Sequence, residues 1–165
     1  MQNINSCALV GRRLPEILRS RPDAVAEVKG GSEYPDIYGL VKLYGTNFGT
    51  VGFACVTGLP KGTECKQRVF GFHIHEGTSC TGNASDEFAD TLTHYNPHSC
   101  EHPYHAGDMP VLFANSSNAL LLFLTDRFNV DEVKGKAVVI HENPDDFTPQ
   151  PSGNSGRKIA CGIIQ

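Results

Sequence analysis

A chain of 165 residues with 39% hydrophobic side chains is long enough for one domain with a proper core, and a second independent domain is not expected. The formal charge of −4, without any block of like charges, gives no electrostatic footprint for nucleic acid or an anionic membrane, so attraction of a small anion would have to be local. No apolar run approaches a membrane span, and "MQNINSCALVGRRLPEILRSR" has no hydrophobic stretch ahead of a small-residue cleavage site; this favours the cytoplasm, although an extracytoplasmic protein whose leader had been removed would begin alike.

Leu14, Ile17 and Leu18 stand at helical spacing with Pro15 tolerable in a first turn, which predicts a short N-terminal helix ending before Pro22. Eight short β-rich runs follow between turn signals: "AVAEVKG", "IYGLVKLYG", "TVGFACVTG", "RVFGFHIH", "MPVLFANS", "ALLLFLTD", "GKAVVIH" and "KIACGII". Eight such strands imply an all-β sandwich or barrel, and "FNVDEVKG" adds at most one helical turn. Two connections are long, Glu76 to Gly107 and Glu142 to Lys158. Loops of that length are uncommon without a function, and these are too polar to be held by burial alone.

All seven histidines lie in or beside these two loops. His73 and His75, at i and i+2 in a strand, point to one face and can share a metal. An HxH pair also occurs in hydrolase metal sites, but those often continue with an acidic residue two positions later, and here the sequence reads "HIHEGT". His141 ends the apolar run "KAVVIH" like a strand-end ligand, and with the HxH pair it begins a copper-type nitrogen site. His94, His102, His105 and Asp108 in "HYNPHSCEHPYHAGD" offer three imidazoles and one carboxylate, a closed set suited to structural tetrahedral zinc. Metal binding would supply the order that such a loop lacks.

The motifs "GFHIHEG", "HYNP", "YHAGD", "VVIHENPDD" and "GNSGRKIACGII", in that order and separation, resemble the copper/zinc superoxide dismutase family over roughly residues 24 to 165. The resemblance implies an eight-stranded antiparallel Greek-key β-barrel or sandwich of immunoglobulin-like architecture at residues 24–165, with two long functional loops, after an N-terminal helical extension at 1–23. It implies copper held by His73, His75, His94 and His141, and zinc held by His94, His102, His105 and Asp108, with His94 bridging both as an imidazolate. It makes Asp145 the carboxylate that accepts the free ring N–H groups of His73 and His102, Cys80 and Cys161 an intrasubunit disulfide, and His94 the proton carrier. His98 matches no ligand and is read as solvent-facing. The implied activity is dismutation of superoxide to dioxygen and hydrogen peroxide, with the superoxide anion as partner, no nucleic acid or membrane, and a homodimer left open.

The match departs in three places. Only two residues separate His102 from His105 where the family usually has several more, and Thr93 precedes the bridging histidine where glycine is common. Lys158 stands where an arginine usually guides the anion, keeping the charge but not the planar fork of donors; it is read as the guiding catalytic residue, with a merely solvated charge as the alternative. Cys7, Cys55, Cys65 and Cys100 have no assigned counterparts and are expected as free or buried thiols, a second bridge through Cys100 being conceivable. Two rival functions remain: a non-catalytic copper-binding or copper-delivery protein of the same fold and, more distantly, a zinc hydrolase.

Overall fold

The structure, a computed structural model, describes residues 4–64 and 69–165. Cys65 and the side chain of Cys7 lie outside what is described. Helix α1, Ile4–Arg19, ends before Pro22 but is longer than the short helix expected, and Pro15 lies inside it rather than in its first turn. An interior proline costs about 3 kcal/mol. Against that cost, Val10, Leu14, Ile17 and Leu18 pack on Tyr44 and Val51, which face each other across two strands of the sheet. Among the described residues, no helix is long and apolar enough to cross a membrane.

Among the described residues nine strands follow: β1 Ala24–Gly30, β2 Tyr38–Thr46, β3 Gly49–Thr57, β4 Val69–Phe70, β5 Phe72–His75, β6 Leu112–Asn115, β7 Asn118–Thr125, β8 Ala137–His141 and β9 Lys158–Ile163. A single turn of helix, α2 Val130–Val133, separates β7 from β8, and the Asn129 N–H at its start donates to Glu132 Oε2 at 2.7 Å. The order in the sheet is β4-β6-β7-β3-β2-β1-β9-β8-β5, antiparallel throughout. The ninth strand comes from a division: the run expected as one strand ending at His75 breaks at Gly71.

Its two halves lie at opposite ends of that order, β4 on β6 and β5 on β8, so the chain passing through Gly71 closes the sheet into a barrel. The Gly71 N–H donates to the Asn143 carbonyl at 2.7 Å, and its own carbonyl accepts from the His141 N–H at 2.8 Å. A side chain has no room at this crossing. A Cβ on Gly71 would meet Ser155 Cβ at 2.8 Å and His141 Cβ at 3.2 Å.

Inward residues of alternating pattern fill the barrel, among them Val28, Val41, Val56, Phe72, Ile74, Leu112, Ile140 and Ile159. Strand β8 is buried at every position, so alternation fails there. Its outward residues Ala137 and Val139 are covered by Phe88 and Cys161, part of a second apolar cluster that includes Cys80. The long loops, 76–111 and 142–157, thus pack on the barrel over β5, β8 and β9.

Candidate metal centre

Strand β5 holds His73 and His75 on one face, each fully or nearly buried, in register with Val139 and Ala137 of β8. The first loop runs back along the free edge of β5: the Ile74 N–H donates to the Gly107 carbonyl at 2.9 Å, and the Tyr95 N–H to the Ile74 carbonyl at 2.8 Å. These bonds bring His94 opposite His75 and Asp108 opposite His73. A register irregularity after Ile140 turns His141, the last residue of β8, into the same region. Ordinary sheet pairing, extended by loop backbone, therefore delivers ligands that are far apart in sequence.

Two groups result, His73–His75–His94–His141 and His94–His102–His105–Asp108, all buried, and within each group one ligand atom per residue lies within 4.8 Å of the others. His94 belongs to both. Its Nδ1 is 2.7 Å from Asp108 Oδ1 and 3.5 Å from His105 Nδ1, while its Nε2 is buried without a partner. Asp108 Oδ2 also lies 3.1 Å from His102 Nδ1, 3.4 Å from His105 Nδ1 and 3.0 Å from the His105 backbone nitrogen, whose N–H it accepts.

The hydrogen bonds around the rings select tautomers. The Nε2–H of His73 donates to Asp145 Oδ2 at 2.8 Å and that of His102 to Asp145 Oδ1 at 2.9 Å, leaving both Nδ1 atoms as lone-pair acceptors. Both Nδ1 atoms are buried without a hydrogen-bond donor, that of His102 facing the acceptor Asp108 Oδ2 at 3.1 Å. The Nδ1–H of His75 donates to the Leu92 carbonyl at 2.9 Å and that of His141 to the Gly156 carbonyl at 3.2 Å, so their Nε2 lone pairs face each other only 3.1 Å apart. Buried acceptors without donors are costly, and converging lone pairs repel. A cation in each group removes both penalties, and the donor set, nitrogen-only on one side and nitrogen with one carboxylate on the other, fits copper and zinc respectively.

Burial first, then neighbouring imidazoles, hold His75 and His141 well below the ordinary histidine range, and burial also lowers His73. These rings are neutral, the form that binds metal. Burial alone would raise Asp145, yet bonds from His73, the Phe147 N–H and His102 bring it down to about 2. Asp108 shows the same contest, burial raising it and His94 above all lowering it, with the lowering prevailing. Both acids are carboxylates.

The remaining residues singled out in the sequence are placed as follows. Cys80 and Cys161 form a disulfide with Cα atoms 5.7 Å apart. Cys55 and Cys100 are free and exposed, as is His98. Lys158 lies across from His141 between β8 and β9, and its Nζ donates to Asp86 Oδ2 at 2.8 Å and to the Phe88 carbonyl at 3.1 Å. Arg157 binds Glu142, Glu33 and Tyr34 instead, and those carboxylates raise its pKa still further.

Sequence reasoning missed Asp86, which is 72 residues from Lys158. It also missed the anchor formed by Glu76, which accepts from Lys136 Nζ at 2.7 Å and from the Asn96 N–H at 3.2 Å, with that ammonium 4.5 Å from the Tyr95 ring centroid. This group of four pins the backbone just after His94 to the start of β8. No local motif announces it, since the residues are ordinary one by one.

Residues 38–164 match the family model described as copper/zinc superoxide dismutase. The chain is 30% identical over 168 residues to a "Superoxide dismutase [Cu-Zn]" of Legionella pneumophila, covering 99% of each. It is 30% identical over 145 residues to "Superoxide dismutase [Cu-Zn] 2" of Aquifex aeolicus (strain VF5), covering 79% of this chain and 80% of that one. Among solved structures it resembles a double mutant of a SOD-like protein from Bacillus subtilis, with TM-score 0.68 and 26% identity over 84% of this chain and 95% of the other.

Proposed function

The chain belongs to the copper/zinc superoxide dismutase family, and from that premise we propose that it catalyses the dismutation of superoxide. Copper, when bound, supplies the one-electron chemistry by which one superoxide is oxidised to dioxygen and another, with two protons, is reduced to hydrogen peroxide. His73 through Nδ1, and His75, His94 and His141 through Nε2, would hold it. His94 through Nδ1, His102 and His105 through Nδ1, and Asp108 would hold zinc, whose part is orientation and loop order.

His94, whose Nδ1 faces Asp108, would carry a proton at Nε2 whenever that nitrogen is not held by copper. Asp145 keeps the His73 and His102 rings in their metal-accepting tautomers. Lys158 places a positive charge beside His141 and favours approach of the anion. The observation that supports this reading best is the set of buried, unpartnered nitrogens His73 Nδ1, His94 Nε2 and His102 Nδ1, one or more in each group. The Cys80–Cys161 bridge favours an oxidising compartment over the cytoplasm.

A second reading, a copper-binding or copper-delivering protein without turnover, is favoured by one feature: the Lys158 charge is neutralised by Asp86 rather than left free for an anion. Metal analysis of the purified protein together with a superoxide decay assay separates the two. Near-equal copper and zinc with rapid dismutation supports the enzyme; the same metals without dismutation leave the carrier.

A further inference from the structure

We infer that Arg127, which lies in neither metal loop, is a positioning residue for the zinc group; the inference rests on the reading of His94, His102, His105 and Asp108 as zinc ligands. The stretch from His102 to Asp108 is short, and the backbone of its ligands is gripped from outside. The backbone N–H of His102 donates to Gln150 Oε1, and its carbonyl accepts from Gln150 Nε2, both at 2.9 Å. The other ligands are held by Arg127. One nitrogen, Nη1, donates to the carbonyls of Pro103 at 2.9 Å, His105 at 3.3 Å and Asp108 at 3.3 Å.

Three carbonyl dipoles aimed at one point repel unless a donor of positive charge stands there, and a guanidinium is such a donor. The residue is exposed as a whole, but its base is fixed. Its own N–H donates to Thr125 Oγ1 at 3.2 Å, and the next residue, Phe128, is buried in the core with its carbonyl accepting from Thr50 Oγ1 at 2.9 Å. The turn after β7 thus presents a cation with an anchored backbone to the back of two ligands. Asp108 illustrates the arrangement: its side-chain carboxylate faces the imidazoles while its carbonyl is held by Arg127. Removing the cation frees the Pro103, His105 and Asp108 carbonyls to turn toward water, and the ligand side chains turn with them.

The test compares the wild type with Arg127→Met and Arg127→Lys. Zinc affinity is measured by chelator competition, the absorption spectrum is recorded with cobalt(II) in place of zinc, and copper content and the unfolding midpoint of the metal-free protein are followed in parallel. Arg127→Met should weaken zinc about 10- to 100-fold, the range found when groups that orient metal ligands are lost. It should also shift the cobalt(II) bands while copper content is retained. Arg127→Lys should recover most of the affinity and the spectrum, because a single nitrogen serves all three carbonyls.

Wild-type zinc affinity and cobalt(II) spectrum in Arg127→Met would overturn the inference. So would equal losses in both variants that track a loss of metal-free stability, which would mark Arg127 as a general fold residue. Asp108→Ala serves as the control on the underlying reading. If the wild type binds cobalt(II) no better than that variant, the zinc assignment fails and takes the inference with it; if only the Arg127 comparison fails, the zinc assignment stands.

Discussion

Asp145 ties the two metal groups together with its two oxygens, one on His73 and one on His102. Asp145→Ala should therefore lower the affinity for both metals, by about 10- to 100-fold each, which metal competition would measure. Gly153 offers an independent route to the same defect. It has φ +63°, and a Cβ there would sit 1.9 Å from Asp145 Oδ1. Gly153→Ala should displace the carboxylate and weaken both metals although it alters no ligand; unchanged affinity would show that the loop yields instead. The groups themselves can be separated. His141→Ala should remove copper and spare zinc, Asp108→Ala should remove zinc and spare copper, and metal content reads both, loss of both metals from each variant contradicting the partition of ligands. At this scale the gathering of the histidines into two groups was legible, because the grouped ones sit in compact motifs. Gly153, Asp86 and Arg127 were not, because each acts on groups between 8 and 72 residues away that only the folded chain brings near.

At the scale of elements, the Cys80–Cys161 bridge joins the first loop to β9 across 81 residues. In the chain-entropy model a bridge of that span contributes about 4–5 kcal/mol, with native strain reducing the gain. Reduction, or Cys80→Ser, should lower the thermal midpoint and weaken copper, because the loop it anchors also supplies the Leu92 carbonyl that orients His75. Calorimetry and copper competition check the two effects, and an unchanged midpoint would mean that Phe88 and the Asp86–Lys158 pair hold the loop unaided. The strand runs were readable from alternation and turn residues. The division at Gly71 was not, because "RVFGFHIH" is one continuous apolar-alternating string and nothing local says that its halves pair with different partners. Pro15 misled for a related reason: a proline in isolation argues for a helix start, whereas tertiary packing on Tyr44 and Val51 extends the helix through it.

At the scale of the whole molecule, a chain of net charge −4 must attract an anion through a local field. Lys158 is the cation beside His141, and Arg157 is occupied by Glu33 and Glu142. Lys158→Ala should slow dismutation more than Arg157→Ala with copper content unchanged, and leave a rate less sensitive to salt. Asp86→Asn should do the opposite, raising the rate at low ionic strength by unmasking the ammonium; stopped-flow superoxide decay across a salt series decides, and a greater loss with Arg157→Ala would make that residue the guide. The seam at Gly71 bears on something else, the order of events as the chain is made. The barrel cannot be completed from its N-terminal side, since β1 pairs with β9, β9 with β8 and β8 with β5, and β9 is the last of the described strands in chain order. Pairings of such high sequence separation place folding in the slow, millisecond-to-second regime of β topologies. His75 lies 66 residues before His141 and faces it only after β5 has paired with β8, so the four-histidine group comes together with closure of the barrel and not with any local hairpin.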